Sequence, residues 1–217
     1  MTKSLRVIIL KSKIGHFKMG RRKEEPAKIR EMILESASKL FARFGMKKTA
    51  VDEIARKSRL AKGTIYNYFE SKDELIRSVF RREQERLFKR IKKMVNKESD
   101  PRRKLKKVIW ERLRLISESP VLAQVLSEKR ERLIAGLDKE LERLEKIEIE
   151  LIEEILREGS QQLSLAEQEL RESARAIQRA LKGLEVNYLE GNREQIEKDA
   201  ELLVKLLFEG LERKPSI

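Results

Sequence analysis

Within residues 49–75, TAVDEIARKSRLAKGTIYNYFESKDEL, the run Ala61-Lys62-Gly63-Thr64 sets two small residues beside an ammonium group and a hydroxyl. A helix that enters the major groove of a duplex needs short side chains at its N-terminal end, so that its backbone can approach. It also needs hydrogen-bonding groups that reach base edges and phosphates. Lys62 and Thr64 supply such groups. Gly63 lowers helix propensity by roughly 1 kcal/mol against Ala, and close approach to a partner accounts for it. Further along, Lys72 stands where the first turn of another helix is expected, a place whose free amides and positive helix end attract phosphate. A lysine there opposes the helix dipole, so an anionic partner explains it better than stability does. Catalytic groups are scarce by contrast. The chain has no Cys and a single His, His16, which removes thiol nucleophiles, disulfides and thiolate metal sites, and leaves no material for a triad or a His-rich metal site. No enzyme, metal or cofactor is expected.

The elements that must position these groups are short helices. Thr49 followed by Asp52 reads as a capping-box-like start, with a helix over 51–57 and a turn at 58–60. A second helix is expected over 61–67. Ser71 with Glu74 forms another capping box and opens a third. Two short helices joined by a tight turn, rich in Lys and Arg and closed by aromatics, have the pattern of a DNA-binding helix-turn-helix.

With these residues in view the segment resembles the DNA-binding domain of the TetR family of transcriptional regulators. The resemblance runs through Leu40-Phe41-Ala42, Gly45, Thr49, Val51, Ile54-Ala55, Lys62-Gly63-Thr64-Ile65-Tyr66, Tyr68-Phe69 and Ser71-Lys72-Asp73-Glu74-Leu75. It covers about residues 29–75, and the KGTIYNYFESKDEL run is its most specific part. It implies that Tyr66 and Lys72 contact the DNA backbone; Thr49, the expected cap of the first short helix, is a further candidate for a phosphate. Two positions depart from the family. Arg59 stands where members carry Gly in the turn, so either the turn differs or a strained Arg59 is offset by a DNA contact. Ala61 stands where members carry a Ser or Thr cap, forgoing about 1 kcal/mol. The expected DNA-binding set is Thr49, Arg59, Ala61, Lys62, Gly63, Thr64, Tyr66 and Lys72.

Charge supports a reader joined to something else. The net charge is +14. Residues 1–97 hold 28 Lys and Arg against 11 Asp and Glu, whereas residues 98–217 hold 23 against 26. The whole excess lies in the half with the helix-turn-helix, as expected of a module that neutralises phosphates. Surface ion-pair networks of a thermophile would explain high total charge, but not this split. No run of 18 apolar residues exists, and the apolar run 7–10 is too short for a signal sequence, so neither membrane contact nor export is expected; the chain reads as cytoplasmic.

Residues 1–24 are a basic arm or tail. Three readings compete: an arm adding phosphate or minor-groove contacts, a dispensable extension ahead of a start at Met19, and a membrane-surface helix. The first clear helix is expected over 26–44, on the apolar period of Ile29, Ile33, Ala37, Leu40, Phe41 and Phe44, with Gly45 ending it in the left-handed conformation. The element opened by Ser71 should run over 72–95, a long linking helix. The expected domains are residues 25–75 for DNA binding and 76–217 for regulation and dimerisation. In the second, helices are expected over 101–117, a short one from Pro120, then 129–158, 165–190 behind Ser164 with Glu167, and 193–213 behind Asn192 with Gln195. Strand-like alternation is absent. The fold class is all-α, an N-terminal three-helix DNA-binding domain plus a C-terminal helical bundle.

By resemblance, the last two helices pair with their copies in a homodimer, through Ile177, Leu181, Leu184, Leu203, Leu207 and Leu211. Two copies would read a palindromic double-stranded operator. A pocket among the bundle helices would be lined by Trp110, Leu113, Ile116, Leu137, Leu141 and Tyr188, for an unknown small-molecule effector. With aromatics at 5%, an apolar or amphipathic effector fits better than an aromatic-caged cation. The expected function is that of a dimeric repressor released from its operator by such an effector. The alternative is a helix-turn-helix protein without an effector, an activator with a protein partner or an architectural binder, which a closed, fully packed C-terminal core would favour.

Overall fold

A computed structural model describes residues 25–127, 134, 136–159, 166–191 and 193–211. Nine helices and no strand occur among them: α1 (Pro26–Phe44), α2 (Val51–Ser58), α3 (Lys62–Tyr66), α4 (Lys72–Val95), α5 (Pro101–Glu118), α6 (Pro120–Ser127), α7 (Leu137–Glu158), α8 (Glu167–Leu189) and α9 (Arg193–Leu211). The chain is all-α, as its periodicity predicts. Ser164, Asn192 and residues 1–24, with His16, lie outside the described residues, as do Arg213 and most of the stretch between α6 and α7.

Punctuation accounts for most boundaries. Pro26, Pro101 and Pro120 sit in first turns, where a missing N–H leaves no hydrogen bond unmade. Asp100 Oδ1 accepts from the Arg102 N–H at 2.9 Å, and Ser71 Oγ accepts from the Glu74 N–H at 3.1 Å. The Glu74 carboxylate reaches back to the Glu70 N–H rather than to that of Ser71, so the expected box is offset by one residue. Gly45 ends α1 with φ 87° and ψ 150°, a positive φ but outside the left-handed helical basin; its N–H donates to the Phe41 carbonyl. α8 starts two residues later than expected. Its cap is Ala166, whose N–H is taken by the Glu169 carboxylate at 2.8 Å.

Burial of the apolar stripes forms two main cores. One gathers Ile33, Leu34, Phe41, Ile54, Ile65, Phe69, Leu75, Ile76 and Val79, with Tyr68 half-buried at its edge. The other gathers Leu87, Ile91, Leu105, Ile109, Leu113, Ile152, Leu156, Ile177 and Leu181 from α4, α5, α7 and α8. A small third cluster, Phe80, Leu122 and Leu144, lies beside them. α4 contributes to all three. Buried Arg112 of α5 pairs with Glu148 of α7 and Glu185 of α8, and Gln178 Nε2 donates to Glu148 at 2.9 Å. Charges so placed hold the bundle's register, because removing one partner leaves another buried and unpaired. No described helix is long and apolar enough to cross a membrane.

Candidate nucleic-acid interface

The start of α2 corrects one expectation. Thr49 is fully buried, and its hydroxyl donates to the Gly45 carbonyl at 2.8 Å. Ala50 is the cap residue instead, and the Glu53 carboxylate accepts its N–H at 2.7 Å. The box has moved one residue on, because the loop turns the Thr49 side chain inward to satisfy the end of α1. So placed, Thr49 cannot reach a phosphate.

The turn after α2 carries the strain that the sequence allows. Arg59 has φ 57° and ψ 36°, the one non-Gly residue of positive φ among those described. The Leu60 N–H donates to the Ala55 carbonyl at 3.0 Å and the Arg59 N–H to Arg56 at 3.2 Å, the paired bonds of a Schellman ending. A left-handed L-residue costs about 1–2 kcal/mol. The Arg59 side chain is exposed and makes no salt bridge with a described residue. Ala61 is extended, φ −70° and ψ 147°, and forms no side-chain cap for α3.

α3 is held by one buried face and leaves the other open. Ile65 is 1% exposed, and Phe69 beyond it is equally buried, with the Arg30 guanidinium 5.1 Å from its ring centroid. On the opposite side Ala61, Lys62, Gly63 and Tyr66 are exposed and Thr64 is half-buried. Tyr66 is 45% exposed, a large ring left in solvent. A Cβ built on Gly63 would meet nothing within 4 Å, and its φ is not positive. Neither backbone conformation nor crowding within the chain therefore calls for a glycine there. Lys62 Nζ donates to Asp52 at 3.1 Å, and that hydrogen bond raises its pKa above the ordinary lysine value.

Lys72, half-buried in the first turn of α4, donates to the Lys47 carbonyl at 2.8 Å. The bond brings the start of α4 against the loop leading to α2. Lys47 and Lys48 are exposed in that loop. Sequence reasoning missed this pair, although two adjacent lysines just ahead of a helix start were a legible signal.

Behind the surface, the head is fastened to the bundle. Gln124 of α6 donates to the Phe41 carbonyl at 3.0 Å and accepts from the Met46 N–H at 3.2 Å. Arg82 of α4 pairs with Glu31 and Glu35 of α1 at 3.0 and 3.2 Å.

The expected pocket residues lie at different depths in the bundle. Leu113, Ile116 and Tyr188 are buried, and Leu113 and Tyr188 belong to the main bundle core, against which Trp110 packs. Leu137 and Leu141 pack against the Phe80 cluster. A groove of about 300 Å³ lies between α4 and α7, lined by Phe80, Arg81, Gln84, Glu85, Phe88, Lys89, Lys92, Glu140, Arg143, Leu144 and Ile147. None of the six expected residues lines it. Arg81 clasps Glu140 across it with two hydrogen bonds, one of 3.1 Å. The Arg81 hydrogen bond, outweighing burial, holds the Glu140 carboxyl below its ordinary value.

The expected dimer residues differ in burial within the single chain. Ile177 and Leu181 are 2% and 3% exposed in the core of their own chain, and Leu184 packs on that core. Leu203 and Leu207 are half-buried, lining a shallow groove with Ile177, Ala176 and Ala180; the Leu211 side chain lies outside the described residues. The large apolar side chains exposed on α8 and α9 are Val186, Leu202 and Leu206.

Residues 33–79 match the family model of bacterial regulatory proteins, tetR family. The uncharacterized HTH-type transcriptional regulator YhgD of Bacillus subtilis is 43% identical over 51 residues, 24% of this chain and 27% of its own length. The HTH-type transcriptional repressor KstR2 of Mycolicibacterium smegmatis is 32% identical over 81 residues, 37% of this chain and 40% of its own. The chain thus spans well under half of these relatives. A much longer match in fold, with TM-score 0.67 at 21% identity, covers 83% of this chain and 98% of the transcriptional regulator FadR of Bacillus subtilis, solved in complex with stearoyl-CoA. The relatives named here are transcriptional regulators.

Proposed function

We propose that this chain, a regulator of the tetR family by virtue of residues 33–79, is a dimeric repressor that reads a palindromic operator with α3 and leaves it when an amphipathic effector binds the helical bundle. Gly63 carries the reading: it stands exposed at the start of α3 with no neighbour within 4 Å of where a side chain would begin. A duplex wall fits as the missing neighbour. The contact set is Arg59, Ala61, Lys62, Gly63, Thr64, Tyr66 and Lys72, with Lys47 and Lys48 beside Lys72 and Thr49 removed. Ala61 and Gly63 let the backbone approach, and Thr64 and Lys62 reach base edges or phosphate. Tyr66, Lys72 and Arg59 supply hydrogen-bond donors to the DNA backbone.

Exposed Leu202 and Leu206, with the small residues Ala176 and Ala180 beside Leu203 and Leu207, support pairing of α8 and α9 with a second copy. The open α4–α7 groove favours an effector over the alternative that needs a fully packed bundle, and the acyl ligand of the similar regulator supports an amphipathic one. A gel shift of the DNA upstream of the chain's own gene tests the reading. A shifted band that competitor of unrelated sequence does not abolish is expected; no retention of that DNA at low salt would contradict it.

A further inference from the structure

Among the described residues, positive charge is concentrated away from α3. Residues 25–75, the whole of the head, hold 11 Lys and Arg against 8 Asp and Glu. Residues 89–107, which are the end of α4, the turn after it and the start of α5, hold 10 against 2. α4 carries this stretch far from the head. Lys93 lies about 27 Å along the helix from Leu75; Leu75 belongs to the core of the head, whereas Ile91 and Val95 belong to that of the bundle.

Pairing within the chain consumes part of the charge. Lys104 meets Glu158 of α7, Lys106 meets Glu201 of α9 at 2.6 Å, and Lys107 meets Glu98 at 3.0 Å. Arg90 meets Glu111 and Glu118 of α5 at 3.6 and 3.2 Å. Lys89, Lys92, Lys93 and Lys97 are exposed and form no salt bridge with a described residue; the first two line the α4–α7 groove and the last two do not. Arg103 is 70% exposed, and its salt-bridge partner is the cap residue Asp100 at 3.4 Å. Helix dipoles explain only half of this placement. Lys92 and Lys93, in the last turn of α4, complement its negative end. Arg102, Arg103 and Lys104 instead open α5, whose first turn holds no acid, and they oppose its positive end. Like charges gathered against a dipole repel one another, and an anion outside the chain relieves that repulsion.

We propose that the α4–α5 turn is a second, sequence-independent contact for duplex DNA, so that one molecule holds its operator at the head and another DNA segment at the far end of α4. Only the first of those contacts rests on the operator reading above. Charge density favours a duplex: it carries one charge per about 1.7 Å of its axis. Lys89, Lys93 and Lys97 recur every four residues, about 6 Å apart along the helix, and meet such a row without inserting anything. A lipid surface fits less well, because none of the exposed large apolar side chains lies in this stretch, and Leu87, Ile91, Val95, Leu105 and Val108 are all buried.

Acetylation footprinting of lysines on the full chain, read by mass spectrometry, reports both ends at once. The probes are a short duplex of random sequence and vesicles of phosphatidylcholine with phosphatidylglycerol, at low salt. The duplex should slow labelling of Lys93 and Lys97 at least about threefold, an effect that high salt removes, and the vesicles should not. The combined variant Lys93→Gln, Lys97→Gln and Arg103→Gln alters exposed side chains, so its melting temperature should hold. Its salt dependence of duplex binding should flatten by about two to three units of slope. Beads carrying one duplex should recruit a second, labelled duplex through the unaltered chain and not through the variant. Unprotected Lys93 and Lys97, equal protection by vesicles, an unchanged slope, or recruitment that the variant retains would overturn the proposal. Lys47, Lys48, Lys62 and Lys72 report the head in the same footprint. Protection at the turn without protection at those four would sink the operator reading and leave the second contact standing.

Discussion

Gly63 separates a structural from a functional role because the two predict opposite signs. Inside the chain it is a helical glycine with open space around it, so Gly63→Ala should raise stability by up to about 1 kcal/mol. Against a duplex the added methyl would stand between helix and groove, so the same variant should lose DNA affinity. A thermal melt and an anisotropy titration on one preparation check both. The lysines predict something different. Lys62 is tied to Asp52 and Lys72 to the Lys47 carbonyl, but exposed pairs of the first kind contribute little and give way to phosphate. Lys62→Ala and Lys72→Ala should each weaken binding across sequences and flatten the salt dependence by about one unit of slope per lost phosphate contact. A slope unchanged in both would remove them from the contact set.

At the scale of elements, α4 is what joins the parts, since its residues enter all three apolar clusters. The Arg81 clasp to Glu140 of α7 gives this joint a pH signature. Glu140 is held below its ordinary pKa by the Arg81 hydrogen bond. A depressed carboxylate contributes stability above its unfolded value of about 4.3 and loses it as pH falls through the folded value. Glu140→Gln should therefore lower the melting temperature at pH 7, by on the order of 1 kcal/mol or about 2–4 °C. The gap to wild type should close as the pH drops below about 4. A constant gap from pH 7 to pH 3 would assign the effect to shape rather than charge.

Element ends also mark where sequence stopped being informative. Helices written by 3.6-residue periodicity and proline, such as α1, α4 and α5, fall within a residue of their expected ends. Caps were less legible: at α2 the Thr49 hydroxyl had two competing uses, and the tertiary loop gave it to the Gly45 carbonyl. Sequence could not divide the faces of α8 for a related reason. Ile177 and Leu181 follow an apolar stripe, but a stripe cannot say whether its partner is α7 of the same chain or a second copy. The α4–α7 groove was invisible because its polar wall, Arg81 to Lys92, reads in sequence as an ordinary solvated face.

For the whole molecule, the division of charge and the exposed leucines belong to one account. The basic half carries α3, and the near-neutral half presents Leu202 and Leu206 to solvent. A single α3 spans few base pairs, and pairing two of them multiplies specificity. Leu206→Glu puts a charge on a side chain that is 57% exposed in the single chain, so folding should survive while sedimentation shifts from dimer towards monomer and operator affinity falls. An unchanged sedimentation coefficient would exclude this face from the interface.

The most direct test of the central claim is selection of random-sequence duplexes by the full chain, followed by sequencing of the bound pool. The account predicts enrichment of an inverted repeat, its two halves placed so that a pair of α3 helices enters successive major grooves. Enrichment of no sequence, or of a single unrepeated half-site, would contradict it.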